Sequence, residues 1–464
     1  MKTVAVFDTG KTNIKLSVTD EAGGLVETLS TPNAVHDGPP YRHHDLAAIE
    51  AWLLDGLGTL ASRHDITAIV CTAHGSGGVL VDDEGPVMPM IDYEQAVPAE
   101  IDREYRRITG SFRERGSAVM LGAAHLARQM LWLERGWPVA FAQARHFLAT
   151  PQYWAWRLSG VAASEVTSLA AQSHLWCSAD ARPARLVEAK NWERLIPPLR
   201  PAWSKLADIK PEISRETGMK PTTAILCGIH DSSANFYQYQ AAGLDDATVV
   251  STGTWIVAIS DRSGPDFDVE RAGLCCNADV EAKPLPGMLT MGGREFAMVA
   301  REDDRPTTEE SLARLIETRT MALPTFGSDD GLFPGTSRKG RLTGPLADHH
   351  NLRHTLALLY AALLTDRCLE LVHTSTVVLD GSFVRDPLYG ALIAALNPDR
   401  RVFVNADQYG TATGAALLAS HETRQAPAPL ALKAAIPFSH PTLDEYREQW
   451  LRAAQTGGQD DGLR

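Results

Sequence analysis

The sequence predicts an α/β protein built from two domains. A strand–turn–strand pattern spans residues 4–18, it recurs at residues 248–260, and strand and helix signals alternate after each. In the first pattern, Val4-Ala5-Val6-Phe7 and Ile14-Lys15-Leu16-Ser17-Val18 flank the turn Asp8-Thr9-Gly10-Lys11-Thr12-Asn13. In the second, Val249-Val250 and Ile256-Val257-Ala258-Ile259 flank Ser251-Thr252-Gly253-Thr254-Trp255.

The elements follow in order. Apolar residues at helical spacing (Leu46, Ile49, Trp52, Leu53, Leu57, Leu60) predict an amphipathic helix over 45–63. Residues 66–72 read as a buried strand, followed by the loop His74-Gly75-Ser76-Gly77-Gly78 and a return strand at 79–81. Helices are expected at 97–108, 121–135 and 147–158, the last with Pro151 in its first turn and Ser159-Gly160 at its end. Residues 161–176 read as a loop. A strand at 223–226 leads into Gly228-Ile229-His230-Asp231, and a helix begins at Ser232. After Gly243 the pattern restarts, so the expected domains are 1–242 and 243–455. The second has further strands at 375–380 and 402–404, helices at 352–373 and 387–396, and a small-residue helix opened by Gly410-Thr411-Ala412-Thr413-Gly414. Residues 303–320 carry charge and one helical stretch. The polar, Gly-rich end, 456–464 and the residue before it, is expected to be disordered.

Composition excludes several classes. A length of 464 residues suits two cores, and a 44% hydrophobic, 22% charged chain is globular. The net charge of −13 argues against a nucleic-acid partner but not against a local anion site. No run of 18 apolar residues predicts a membrane span, and no signal segment precedes the first strand. The 6 cysteines form no CxxC pair and read as buried free thiols of a cytoplasmic protein.

Backbone N–H groups at a glycine turn, with Ser and Thr hydroxyls, can cradle phosphate oxygens. Two such turns facing each other would clamp one polyphosphate, although either alone is equally an ordinary β-hairpin. Gly10-Lys11-Thr12 is not a P-loop: Ala5 stands where its first Gly belongs, and a strand follows in place of a helix.

Taken together, the chain resembles the FGGY family of carbohydrate kinases, within the actin/hexokinase/Hsp70 ATPase superfamily. Asp8 to Lys15 resembles that family's first phosphate motif. Thr150-Pro151-Gln152-Tyr153 through Gly160, with Thr167 downstream, resembles its Pro-x-x-Tyr segment. Gly228-Ile229-His230-Asp231 is similar to the catalytic aspartate segment, in the His-Asp form of rhamnulokinase- and fuculokinase-like members, and Ser251 to Trp255 to the second phosphate motif. Leu379-Asp380-Gly381-Ser382 and the run from Gly410 resemble the adenosine motif and the final helix start. The chain departs from the family pattern at Lys11 (usually Thr), at Asp380 (usually Gly), at Arg385 (usually Asn) and at Asp92-Tyr93-Glu94-Gln95, which replaces an aromatic-x-Asp-x-Arg loop.

The resemblance implies two ribonuclease-H-like, actin-like ATPase domains around a cleft, the first for sugar and phosphate, the second for nucleotide. It implies Mg²⁺ with ATP, a sugar substrate, and room for a homodimer. Asp231 is the expected general base, and it also suits a helix N-cap. Asp8 and Asp231 are the expected metal ligands. Lys11, Thr12, Asn13, Lys15, Gly253, Thr254, Gly381 and Gly410 are the expected nucleotide contacts. His74, Gly75, Glu94 and His230 are expected at the sugar, with Tyr93, Trp154 and Trp255 as candidate stacking rings. The implied activity is phosphorylation of a small ketose. A catalytically degenerate sensor of the same fold is the alternative, favoured by Asp380 and Arg385 and opposed by intact Asp8 and Asp231.

Overall fold

The computed structural model describes residues 2–262, 266–328, 331–405 and 409–456. Two seven-stranded sheets dominate it. The first contains β1 (Lys2–Thr9), β2 (Asn13–Asp20), β3 (Leu25–Pro32), β4 (Asp65–Ala73), β5 (Lys205–Asp208), β6 (Ala224–Leu226) and β7 (Ile229–His230), in the order β5-β6-β4-β1-β2-β3 with β7 also on β4. The second contains β8 (Ala247–Thr252), β9 (Ile256–Ser260), β10 (Leu274–Ala278), β11 (Pro284–Thr290), β12 (Thr376–Gly381), β13 (Arg401–Val404) and β14 (Lys433–Ala434), in the order β10-β11-β9-β8-β12-β13-β14.

The two sheets share one plan. β1 pairs antiparallel with β2 and parallel with β4, and β8 pairs antiparallel with β9 and parallel with β12. The turns after β1 and β8 are therefore equivalent places in a repeated unit.

Side-chain alternation along β1 feeds two cores. Ala5 and Phe7 pack against α1 (Leu46–Ala61) and α2 (Thr150–Ser159). Val4 and Val6 face α4 (Asp231–Ala241) and α7 (Gly410–Leu417). On the second sheet, Val250, Val377 and Leu379 bury against α6 (Arg353–Leu369), while Val249 and Val378 meet Phe236 and Tyr239. Those two residues belong to α4, whose other face carries Ala234 and Tyr237 onto the first sheet. One helix thus lies between both sheets. It crosses α7 so closely that a Cβ on Gly414 would stand 1.8 Å from the Ala234 carbonyl oxygen.

The structure corrects several expectations. Phe147 and Leu148 are not helical: they belong to the strand His146–Ala149, which pairs with Gly78–Val81, and α2 starts only at Thr150. The expected loop at 161–176 contains α3 (Val166–Ala170), because the Glu165 side chain caps its first amides. The helix expected from 121 begins at Leu126, since 117–124 is drawn into a loop held by Arg128, which donates to the carbonyls of Met120 and Gly122. A helix at Leu443–Thr456 runs through Gln455, where disorder was expected, burying Tyr446 and Trp450. Residues 457–464 lie outside the described residues. All 6 cysteines are free and buried. No helix among the described residues is long and apolar enough to cross a membrane.

Candidate active site

Both glycine turns, the loop after β4 and the start of α4 open onto one cleft of about 430 Å³. Lys11, Thr12, His74, Gly75, Glu94, His230, Asp231, Gly253 and Thr254 all line it.

Asp231 sits in the first turn of α4, next to the N-cap His230, where the helix dipole favours a carboxylate. Its Oδ1 accepts from the Ser232 backbone N–H and lies 3.1 Å from His230 Nε2. Burial holds His230 below its ordinary pKa, so the ring is neutral at pH 7. Its Nδ1 pairs with the Ser233 hydroxyl at 3.2 Å. The His230 N–H donates to Thr167 Oγ1, and that hydroxyl donates to buried Glu165 at 2.6 Å. Among the described residues Oδ2 of Asp231 has no hydrogen bond, so it is the oxygen available to take a proton.

Asp8, one residue before the end of β1, lies opposite Lys15, its cross-strand partner on β2. Burial and then the Asp231 charge push the Asp8 carboxyl up to about 7, against the pull of Lys15. Two carboxylates that oppose each other's ionisation are a fitting donor set for Mg²⁺, a hard cation that prefers oxygen.

The first turn is fixed by Asn33, whose side chain donates to the Gly10 carbonyl and whose N–H donates to the Thr12 carbonyl, both at 2.8 Å. Asn33 is held in turn by His44. The second turn is open: a Cβ on Gly253 would meet nothing within 4 Å. Behind it lies α5 (Gly292–Ala300), where a Cβ on Gly293 would stand 1.8 Å from the Gly253 carbonyl oxygen.

Not every expected residue reaches the cleft wall. Asn13 and Lys15 are exposed on the hairpin beside it. Gly381, at φ 94°, lies on the Thr252 backbone, and Gly410 lies against Gln238 and Asp380. Asp380 accepts from the Tyr239 hydroxyl at 2.7 Å and from the Gly381 N–H, so its side chain ties the end of β12 to α4. The Lys11 ammonium lies on Asp92, 4.0 Å from Glu94 and 5.0 Å over the Tyr93 ring. Trp154 is a core residue, edge-on to Phe7 at 5.4 Å, and cannot stack on a ligand.

The end of the cleft at His74 and Glu94 joins the two halves of the chain. Tyr93 meets Trp255, the Gln172 side chain donates to Asn277, and Arg294 donates to Glu94 at 2.6 Å. His74 stands edge-on to Tyr93, and among the described residues neither of its shielded ring nitrogens has a hydrogen-bond partner. Burial pushes this imidazole down to about 4. The sequence did not single out Gln172, Asn277 or Arg294. The available signal was the Gly292-Gly293 pair after an apolar strand, a mark of close backbone approach.

Residues 3–236 match the N-terminal domain of the FGGY family of carbohydrate kinases, and residues 244–427 match the C-terminal domain of carbohydrate kinase FGGY. The chain belongs to the FGGY family of carbohydrate kinases. This FGGY chain superposes on a carbohydrate kinase from Novosphingobium aromaticivorans with a TM-score of 0.86 at 29% identity, covering 98% of this chain and 99% of that one. A ligand-bound xylulose kinase from Lactobacillus acidophilus shares the fold at TM-score 0.81 and 16% identity, over 98% and 97% of the two chains. An L-fuculokinase from Haemophilus influenzae is 22% identical over 301 residues. That match covers 61% of this FGGY chain and 63% of the fuculokinase, less than two thirds of its length.

Proposed function

We propose that this protein is an ATP-dependent kinase that phosphorylates a hydroxyl of a small ketose, a deoxyketohexose or ketopentose such as L-rhamnulose, L-fuculose, ribulose or xylulose. The observation that carries the reading is Asp231, at the start of α4, in the cleft onto which both glycine turns open. Residues 1–242 bind the sugar and the first phosphate contacts, and residues 243–455 bind the nucleotide.

Asp231 Oδ2 accepts the proton of the attacking hydroxyl as its oxygen bonds to the γ-phosphorus and the bond from that phosphorus to the bridging oxygen breaks, releasing ADP. The Ser232 amide and hydroxyl hold Oδ1 beside the His230 ring, which fixes the carboxylate plane. The turns at Thr12 and at Gly253-Thr254 offer backbone N–H groups and hydroxyls to the phosphates, and Lys15 adds charge beside Asp8. Asp8 and Asp231 would hold Mg²⁺, which neutralises phosphate charge when bound. His74 and Glu94 hydrogen-bond sugar hydroxyls, since His74 lines the cleft and among the described residues its ring nitrogens have no partners. The cross-cleft pairs at Tyr93, Gln172 and Glu94 exclude water from the transfer.

The departure at Asp380 does not favour a degenerate sensor, because that side chain is engaged with Tyr239. The test is ADP release against a panel of ketoses and polyols. Sugar-dependent ADP release supports the reading. Tight sugar binding with no ADP release would replace it with the sensor.

A further inference from the structure

Arg294 reaches the sugar end of the cleft from the opposite half of the chain, and its position is built. Gly292 and Gly293 seat the start of α5 on Ile256 and on the Gly253 carbonyl. The next residue, Glu295, is buried and accepts from the Phe326 and Gly327 N–H groups and the Tyr360 hydroxyl. The guanidinium therefore projects from an anchored helix end. Among the described residues its one ion-pair partner is Glu94, at 2.6 Å.

The charges here balance. Lys11 and Arg42 share Asp92, Arg42 also pairs with Asp37, and Glu94 pairs with Arg294 while standing 4.0 Å from Lys11, so three cations face three carboxylates. The neighbouring His74 is neutral at pH 7. A carboxylate entering this space would find no uncompensated cation and two acidic side chains close by. A neutral polyol would find donors and acceptors at no cost in charge.

Resting on the kinase reading above, we propose that the Glu94–Arg294 pair sets the charge class of the substrate: Glu94 cancels Arg294, so the site takes an uncharged sugar and rejects sugar acids. Arg294 is then a latent carboxylate receptor, because a guanidinium binds a carboxylate through two parallel hydrogen bonds once its own partner is gone.

The experiment compares kcat/KM for ribulose and xylulose with that for gluconate, in the wild type, Glu94→Gln, Arg294→Gln and the double variant, with calorimetric binding of the same compounds. Glu94→Gln is expected to raise the gluconate-to-ketose ratio at least tenfold, and the added Arg294→Gln to abolish the gain. Arg294→Gln alone is expected to weaken gluconate binding further, which gives a second readout should Glu94→Gln fold poorly. A ratio within threefold of wild type in folded Glu94→Gln, or a wild type that prefers gluconate, overturns the proposal. If no compound is phosphorylated, the kinase reading fails, and the binding ratios still decide the charge rule.

Discussion

The carboxylate of Asp231 acts on Asp8: its charge adds to burial in pushing the Asp8 carboxyl up to about 7. The two acids lie far apart in sequence, and β1 and the start of α4 bring them within electrostatic reach of each other. Their roles separate in the variants below.

Asp231→Asn keeps the shape of the side chain and removes its basicity. Turnover should fall by roughly 10²–10⁴-fold with ATP binding and melting temperature near wild type. Retention of more than about a third of kcat would show that another group takes the proton.

Asp8→Asn removes one donor of the Asp8–Asp231 pair without emptying space. The Mg²⁺ concentration for half-maximal activity should rise roughly tenfold or more, with the sugar KM little changed. An unchanged Mg²⁺ titration would remove Asp8 from the metal site.

Gly293→Ala tests the seat of the second phosphate turn. The new methyl cannot fit 1.8 Å from the Gly253 carbonyl oxygen, so the turn or α5 must shift. Overpacking of this kind costs about 1–3 kcal/mol. The ATP KM should rise at least about fivefold, since a displaced cradle loses phosphate contacts, and thermal melting should show a folded protein. A normal ATP KM would mean that the turn does not grip the nucleotide.

Glu165 gives a pH signature. Burial raises its carboxyl from the ordinary 4.5 to about 7, despite bonds from Thr167 and Ser168 that favour the charged form. Between these values the folded protein holds a proton that the unfolded chain releases. Glu165 therefore makes stability fall as pH rises from about 4.5 to about 7, with the full loss present above that window. Glu165→Gln should flatten the slope of melting temperature against pH in this range. A slope identical to wild type would contradict the assignment.

Much of this was legible because it lies in contiguous motifs. His230 and Asp231 follow a buried strand, and the two glycine turns stand between apolar arms; local pattern alone places such residues at strand ends. Arg294, Asn277 and Gln172 carry no such mark. β10 and β11 bring Asn277 and the start of α5 to the rim, and Gln172 comes to them from the turn after α3. Phe147 and Leu148 misled for a related reason: a short apolar run before Pro151 fits a buried strand as well as a helix, and only pairing with Gly78–Val81 decides. Lys11 and Asp380 depart from the family pattern, and their partners Asp92 and Tyr239, distant in sequence, could not be read from the motifs themselves.

The placement of α4 between both sheets has a consequence for the lineage of the molecule. The repeated sheet plan is the mark of a duplicated unit, but the copies no longer own separate interiors: a helix encoded before Gly243 completes the core of the second, and α7, encoded near the other end, roofs the first. A chimaera joined at residue 243 would therefore mate α4 and α7 from different parents at the crossing where Gly414 touches Ala234. Recombination between relatives should succeed only when those two helices are inherited together, which makes the pair, rather than either half of the chain, the smallest exchangeable part.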